Sequence, residues 1–266
     1  MQPTDDQAAV LLDVEHRSLS DSDYAVGEAV ALLKREEQHA YLANGPDGPA
    51  GFCACFDTDM GQTARLEIDL LGVVPAWRNR GVARRLVAHV LSEGRNRGVH
   101  AARGVVREDN VASRRVFLRC GFRASARCTM MVYVLHGHHP RPFLPKGWLW
   151  KYTKSGTLEL HDGGKATAGS QHAVHWLEHQ GALMALATSL CVHTLCYRGI
   201  WLERLWAPMS CAVEPMASAV LEQAKELGVD EVGHLVDDQR HPNLQHTLEA
   251  MGWQAVAKYD VMVWPG

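Results

Sequence analysis

Apolar positions at helical spacing open the chain: Ala8, Val10, Leu11, Leu12 and Val14 follow Thr4-Asp5-Asp6, whose short polar side chains suit a helix N-cap. A second helix is expected over Val26, Ala29, Val30, Leu32 and Leu33, after Asp21-Ser22-Asp23. The pattern then changes. Tyr41-Leu42-Ala43 and Gly51 to Phe56 flank the turn-rich Asn44-Gly45-Pro46-Asp47-Gly48-Pro49, which predicts two strands and a hairpin. Arg65-Leu66-Glu67-Ile68-Asp69-Leu70 alternates with period two, as a half-buried strand does. Gly81 to Arg97 returns to helical spacing, with Val82, Leu86, Val87, Val90 and Leu91 on one face and arginines opposite. A strand over Ala101 to Val106 comes next. Asn110 then opens a helix that Gly121 closes, and a strand covers Met130 to Leu135. Pro140, Pro142, Pro145 and Gly147 mark a linker.

The second half repeats this order. Ala173 to Leu177 and Ala182 to Val192 form a hairpin around His179-Gln180-Gly181, and Ile200 to Pro208 mirrors the strand that ends in Val74-Pro75. Pro215 to Leu227 answers the arginine helix, Val232 to Val236 its following strand, and Asn243 to Gly252 the helix closed by Gly121. Tyr259 to Trp264 is the last strand. Pro75 to Gly121 spans 46 positions and Pro208 to Gly252 spans 44, so the order and the spacing agree. This argues for an internal duplication. The expected organisation is α/β (α+β), with two tandem domains, each a mixed, mostly antiparallel sheet flanked by helices. Residues 1–137 make the first, 138–150 a linker and 151–266 the second.

Composition adds limits. With 266 residues, 47% hydrophobic and 21% charged, the chain is globular and can bury a core without disulfides. Its seven cysteines are odd in number and contain no C-x-x-C pair, which favours a reducing cytoplasm. No basic leader precedes the first helix, and the longest apolar run, Ala182 to Val192, is too short to span a bilayer and reads as a buried strand. The net charge of −3 hides a segregation. Residues 1–77 balance at −10, whereas 78–127 carry 13 arginines and a balance of +10. Such a block suits an anionic ligand, though a solvated helix face would look the same.

The most informative string is Val73-Val74-Pro75-Ala76-Trp77-Arg78-Asn79-Arg80-Gly81-Val82-Ala83. A strand ends, R-x-x-G-x-A follows, and a helix begins. Small residues let the backbone turn tightly, and the N–H groups at a helix start form an anion site suited to a pyrophosphate. Downstream stands Asn110-x-x-Ser113-x-x-x-Phe117-x-x-x-Gly121-Phe122. Together these resemble the GNAT superfamily of N-acetyltransferases, over residues 5–135 and, by repetition, weakly over 170–264. Tandem members exist, and this chain looks like that arrangement.

The resemblance implies an acetyl-CoA-dependent transfer to the primary amine of a small molecule, by direct attack on the thioester. It implies that Arg78, Asn79, Arg80, Gly81, Val82, Ala83 and Arg84 cradle the pyrophosphate of acetyl-CoA. Leu71 and Val73 would offer backbone groups to the pantetheine arm on a bulged, splayed strand, with Asn110, Ser113 and Phe117 along it. An amine must lose a proton and the oxyanion needs an N–H donor. Glu67 and Asp69, on the polar face of the strand entering the site, are the candidate bases; an ordinary solvated or paired strand face is the alternative reading.

The sequence departs from the family at Phe117, where a tyrosine often protonates the leaving thiolate. It departs again in the second copy, where Met209-Ser210-Cys211-Ala212-Val213-Glu214-Pro215 has neither glycine nor arginine and adds a carboxylate. That copy is expected not to bind CoA. The first copy also starts late, without the usual opening strand. Trp148 to Tyr152 or Thr157 to His161 could supply strands instead, making the halves interdependent. His136-Gly137-His138-His139 and His172, His175 and His179 invite a metal reading, but the spacing is poor and none is expected. Cys53 and Cys55 are expected in the core, and Trp77, Trp176, Trp201 and Trp206 either there or in an acceptor pocket. Two other readings stay open: an acyl-CoA-binding protein without turnover, and a transferase acting on an aminoacyl-tRNA. Nucleic acid is otherwise disfavoured as a partner, no membrane is expected, and a second copy of the chain is admitted.

Overall fold

The computed structural model describes residues 4–19, 24–59, 64–135, 144–154, 156–159, 165–168, 172–195, 197–237, 239–241 and 243–266. Asp21 to Asp23, His136 to Pro142 and His161, named above, lie outside them, as does Cys196, one of the seven cysteines.

Two helices lead, α1 (Asp5–Ser18) and α2 (Val26–Leu33). Thr4 and Gln7 close a reciprocal capping box on α1, which satisfies two N-terminal donors. The first half continues β1 (Gln38–Gly45), β2 (Gly48–Asp59), β3 (Ala64–Val73), α3 (Val82–Asn96), β4 (Ala101–Arg107), α4 (Val111–Arg119) and β5 (Arg123–Val134). The segment between the halves contributes β6 (Trp148–Thr153), β7 (Gly156–Glu159) and β8 (Lys165–Ala168). The second half follows with β9 (His172–His179), β10 (Ala182–His193), β11 (Arg198–Trp206), α5 (Val213–Glu226), β12 (Glu231–Asp237), α6 (Leu244–Ala250) and β13 (Gln254–Trp264). The helical period of α3 is realised: Val82, Leu86, Val87, Val90 and Leu91 are all buried.

In place of two sheets, the strands form one continuous sheet of eleven, in the order β1-β2-β3-β4-β13-β5-β12-β11-β10-β9-β6, with β7 and β8 paired apart. Trp148 to Tyr152 forms a strand, but it lies on β9 at the second half's edge of the sheet and Thr157 to Glu159 lies in the separate β7–β8 pair, so neither supplies the first half with an opening strand. The centre departs from a simple repeat. β13, the last strand of the second half, lies antiparallel between β4 and β5 of the first, and β5 pairs with β12 of the second. The halves have exchanged their final strands. Their cores are exchanged as well: Met262 and Trp264 pack with Val87, Phe117 and Phe122, while Met131 and Tyr133 pack with Met216, Val232 and Trp253. The division at 1–137, 138–150 and 151–266 is retained as our proposal for the duplicated units.

The wings of the sheet also curl toward each other. β4 and β11 stand four strands apart in the order, about 19 Å across a flat sheet, yet their side chains are in direct ion pairs (below). Tyr24 Oη donates to the Thr194 carbonyl (2.9 Å) and Gln38 Nε2 to that of His193 (3.0 Å). Leu195 joins α1 and α2 in a third core cluster.

Candidate functional site

The site begins with a strand that leaves its neighbour. β3 runs parallel to β4, pairing Arg65 to Ile68 with Ala101 to Gly104, and the pairing stops there although both strands run on. On its other edge β3 carries a bulge: Ala54 opposes Leu70 and Cys55 opposes Ile68, which leaves Asp69 as the extra residue. Leu71 and Val73 thus lie on the free stretch beyond the bulge, half-buried against the α3 cluster. Asp69 is half-buried, and its carboxylate adds to the burial that pushes the Cys53 and Cys55 thiols up, Cys55 to about 12. Both cysteines lie in the core.

Beyond the split, a 3-10 turn over Pro75–Trp77 leads into the loop. Asn79 (φ 61°) and Gly81 (φ 76°) are left-handed, and Gly81 is the N-cap of α3. A residue without a Cβ adopts that φ freely. No side chain caps α3 and no acid stands in its first turn, so its leading N–H groups and dipole face an exposed, arginine-rich surface. Arg78 is partly committed: Nε donates to the Val73 carbonyl (3.1 Å) and Nη2 to that of Ser18 (3.2 Å). Arg80 lies over the Trp77 ring at 4.9 Å, and its carbonyl accepts from Arg85 (3.1 Å). Val82 is buried, and Ala83 and Arg84 complete the first turn. Asn110 caps α4, its Oδ1 accepting from the Ser113 N–H at 3.0 Å. Phe117 is 3% exposed and lies edge-on to Phe122. Its ring covers Gly104, where a Cβ would come within 2.6 Å of it.

The candidate base Glu67 sits in a closed ring of charges. Its carboxylate accepts from Arg65 and from Arg103 Nε (2.8 Å), and Glu203, from the second half, accepts from the same two arginines at 2.7–3.0 Å. Burial works against the Glu203 carboxylate, but Arg103 and Arg65 outweigh it and hold its pKa down to about 2. Both oxygens of each carboxylate are thus occupied by guanidinium donors, which is the paired-strand alternative for Glu67. Neither Arg103 nor Glu203 was singled out in the sequence. The available signal was position, since Glu203 is the extra residue of the β10–β11 bulge as Asp69 is of β2–β3. Glu203→Gln removes half the negative charge of a buried ring, and a loss of about 3–5 kcal/mol is expected in denaturant unfolding. An unchanged midpoint would show that the ring is not coupled.

The second half keeps the split but closes it. β11 and β12 pair only as far as Leu202 and His234. Where β4 has Gly104, β12 has buried His234, whose Nδ1 meets the Leu202 carbonyl at 2.7 Å. Its helix enters through a 3-10 turn over Ser210–Ala212, with Glu214 in the first turn and Ala212, Val213, Pro215 and Met216 buried.

Burial lowers the pKa of His234 and His175 from 6.5 to about 4, with a contribution from the Leu202 bond opposing it at His234. Between those values the unfolded chain takes up protons that the folded chain refuses, so stability falls as pH drops from 6.5 to 4. Each histidine contributes roughly 3 kcal/mol to that fall. Unfolding midpoints across the window should decline, less steeply in His234→Leu; a flat profile in the native chain would refute the burial argument.

The four tryptophans have separate surroundings. Trp77 lies against Gly45 and Trp201 against Gly233; Trp176 donates to Glu178 (2.7 Å), and Trp206 is exposed. Among the described residues no three His, Cys, Asp or Glu side chains gather as a metal site requires, and no helix is long and apolar enough to cross a membrane.

Comparison with known proteins agrees with this geometry. Residues 10–122 match the acetyltransferase (GNAT) family. No curated protein matches the chain. Among solved structures, a GCN5-related N-acetyltransferase from Sphaerobacter thermophilus is similar over 99% of this chain and 94% of its own, at 15% identity and a TM-score of 0.61. A tandem GNAT protein from the clavulanic acid biosynthesis pathway is similar over 99% and 96%, at 17% identity and 0.58. At such identities the likeness is one of fold, and it extends through both halves. Residues 10–122, which contain the split strand and the glycine loop, thus carry the likeness to the acetyltransferase (GNAT) family.

Proposed function

We propose that the chain is an acetyl-CoA-dependent N-acetyltransferase that modifies the primary amine of a small molecule, using the first half as its working site. The observation that carries this is the split between β3 and β4 opening onto the uncapped, arginine-lined start of α3. A pyrophosphate fits there, because backbone donors converge, Gly81 contributes no Cβ, and no carboxylate stands in the first turn. Arg80 and Arg84 add charge, with Arg78 once its backbone contacts loosen. The free backbone of Leu71 and Val73 suits an extended pantetheine arm, and Asn110 and Ser113 flank its far side. Acetyl-CoA supplies the activated acyl group.

The chain's own task is to orient the amine, take its proton and stabilise the oxyanion. Backbone N–H groups near Leu71 to Val73 are the candidate donors. Of the two carboxylates, Asp69 is the better base, since it stands at the bulge while Glu67 is held by two arginines. The second half, with His234 across its split and Glu214 at its helix start, serves as a wall and support.

A second reading, an acyl-CoA-binding protein without turnover, is favoured by Phe117, a buried ring that has no proton to give. Calorimetric titration with acetyl-CoA, followed by release of CoA thiol with a panel of small amines, separates the two. One site per chain and thiol release are expected. Two sites would overturn the closed second half, one site without release would favour the second reading, and no binding would overturn both.

A further inference from the structure

The two ends of the eleven-stranded sheet are finished differently. At the second half's end β6 lies antiparallel on β9, from Trp148 opposite His179 to Thr153 opposite Val174. The bulges on β2–β3 and β10–β11 align the two hairpins. Just past its bulge, Cys55 opposes His39 and Ser189 opposes Ala173, so Ala40 to Gly45 of β1 corresponds to Val174 to His179 of β9. That stretch of β1 pairs with β2 on one edge and, among the described residues, with no strand on the other. The backbone identifies the groups left over. The Asp57 N–H donates to the Glu37 carbonyl (2.9 Å), while Gln38 turns its N–H the other way, to the Arg35 carbonyl (3.1 Å). Antiparallel alternation then gives His39, Tyr41 and Ala43 to β2 and points the N–H and C=O groups of Ala40 and Leu42 outward.

A groove of 410 Å³ follows this edge, since side chains from both faces of β1 line it: His39 and Tyr41 from one, Ala40 and Leu42 from the other. Leu11 of α1 and Leu33 of α2 give it apolar walls, and Val10, next to Leu11 and 39% exposed, adds an apolar rim. Sheet ends are commonly blunted by charges, prolines or bulges. β6 carries Lys151, in an ion pair with Glu178. From Gln38 to Ala43, β1 has no acid, lysine, arginine or proline, its ladder to β2 is unbroken, and His39 is held by Asp57 (3.0 Å). The strand is also compatible with itself. When two copies run antiparallel about a two-fold axis through Tyr41, Ala40 and Leu42 of one meet Leu42 and Ala40 of the other as hydrogen-bonded pairs. Tyr41 then faces Tyr41, His39 faces Ala43 and Gln38 faces Asn44, so no charge meets a like charge. The axis stands normal to the sheet, which brings the Val10 rims of both copies to the same side.

We propose that β1 is a dimerisation edge, on which a second copy of this chain pairs antiparallel and carries the sheet across both copies. The pairing stands whether or not the chain transfers acetyl groups. Sedimentation velocity of the full chain should show a species of twice the chain mass. Ala40→Pro removes one outward N–H from each copy and no bond to β2, and should weaken self-association at least tenfold with the far-UV dichroism unchanged. Register is read separately. Residues facing each other on the axis lie about 4.5 Å apart at Cα, within reach of a disulfide. Tyr41→Cys, in a chain with the exposed Cys191 and Cys211 replaced by serine, should therefore give a disulfide-linked dimer on mild oxidation. Ala43→Cys in the same background should not, because Ala43 faces His39 and stands too far from its own copy. The proposal falls if the chain sediments as a monomer, which would leave the edge to another partner, if folded Ala40→Pro associates like the parent, or if Ala43→Cys cross-links as readily as Tyr41→Cys. Should Ala40→Pro fail to fold, the cross-linking pair decides.

Discussion

Deleting residues 254–266 is expected to abolish the cooperative unfolding of the first half, although the cut lies more than a hundred residues beyond it. Those residues are β13, which fills the gap between β4 and β5 and pairs with both. Without it, two strand edges face water and the first core loses Met262, fully buried, and Trp264, 7% exposed. Trp264 also lies beneath the Arg95 guanidinium at 4.5 Å and against Gly121. Buried Asp260 would no longer pair with Arg114 (2.9 Å) and Arg127 (3.4 Å). Truncating a buried tryptophan to alanine alone costs about 3–5 kcal/mol, a large share of the 5–15 kcal/mol that holds a typical domain folded. Circular dichroism melts of the deletion and of Trp264→Ala measure the effect. A fragment of residues 1–137 that melts cooperatively and binds acetyl-CoA like the whole chain would show that β13 is dispensable.

The second large effect is expected at Gly81. Gly81→Asp puts a carboxylate at the N-cap of α3, where the leading N–H groups are otherwise free for an anion. Aspartate is itself a good N-cap, and it tolerates the left-handed region better than most residues. The helix should therefore survive, and the thermal midpoint should shift little. Acetyl-CoA affinity should fall at least a hundredfold, because the new side chain competes for the donors and repels the pyrophosphate. Gly81→Ala separates the two causes: it brings a Cβ at φ 76° but no charge, and should cost less affinity. Undiminished binding in Gly81→Asp would mean that the loop is not the cradle.

Much of this was legible in the order of residues, for reasons that are local. Thr4 before the first helix, the five apolar positions of α3, Asn110 and Gly121 at the ends of α4, and the hairpin turn at Gln180-Gly181 each act over a few residues. The duplication was legible because both copies kept that punctuation. What stayed hidden depends on partners distant in sequence. β5 and β13 both alternate, and nothing in either states which sheet it completes. Arg65 and Glu67 read as an exposed polar face because Glu203, which closes their ring, lies 136 positions beyond Glu67. Phe117 was placed along a ligand by its motif position, whereas its surroundings are Gly104 and Phe122.

The exchange of final strands changes what the connecting segment is for. The two halves are joined by hydrogen bonds along β5 and β13, which do not depend on the peptide link between Val134 and Trp148. Cutting the chain there would leave two pieces that still clasp each other, each holding the strand the other lacks. In this protein, neither half is a complete template for its own fold, and the unit that folds is the reciprocal pair.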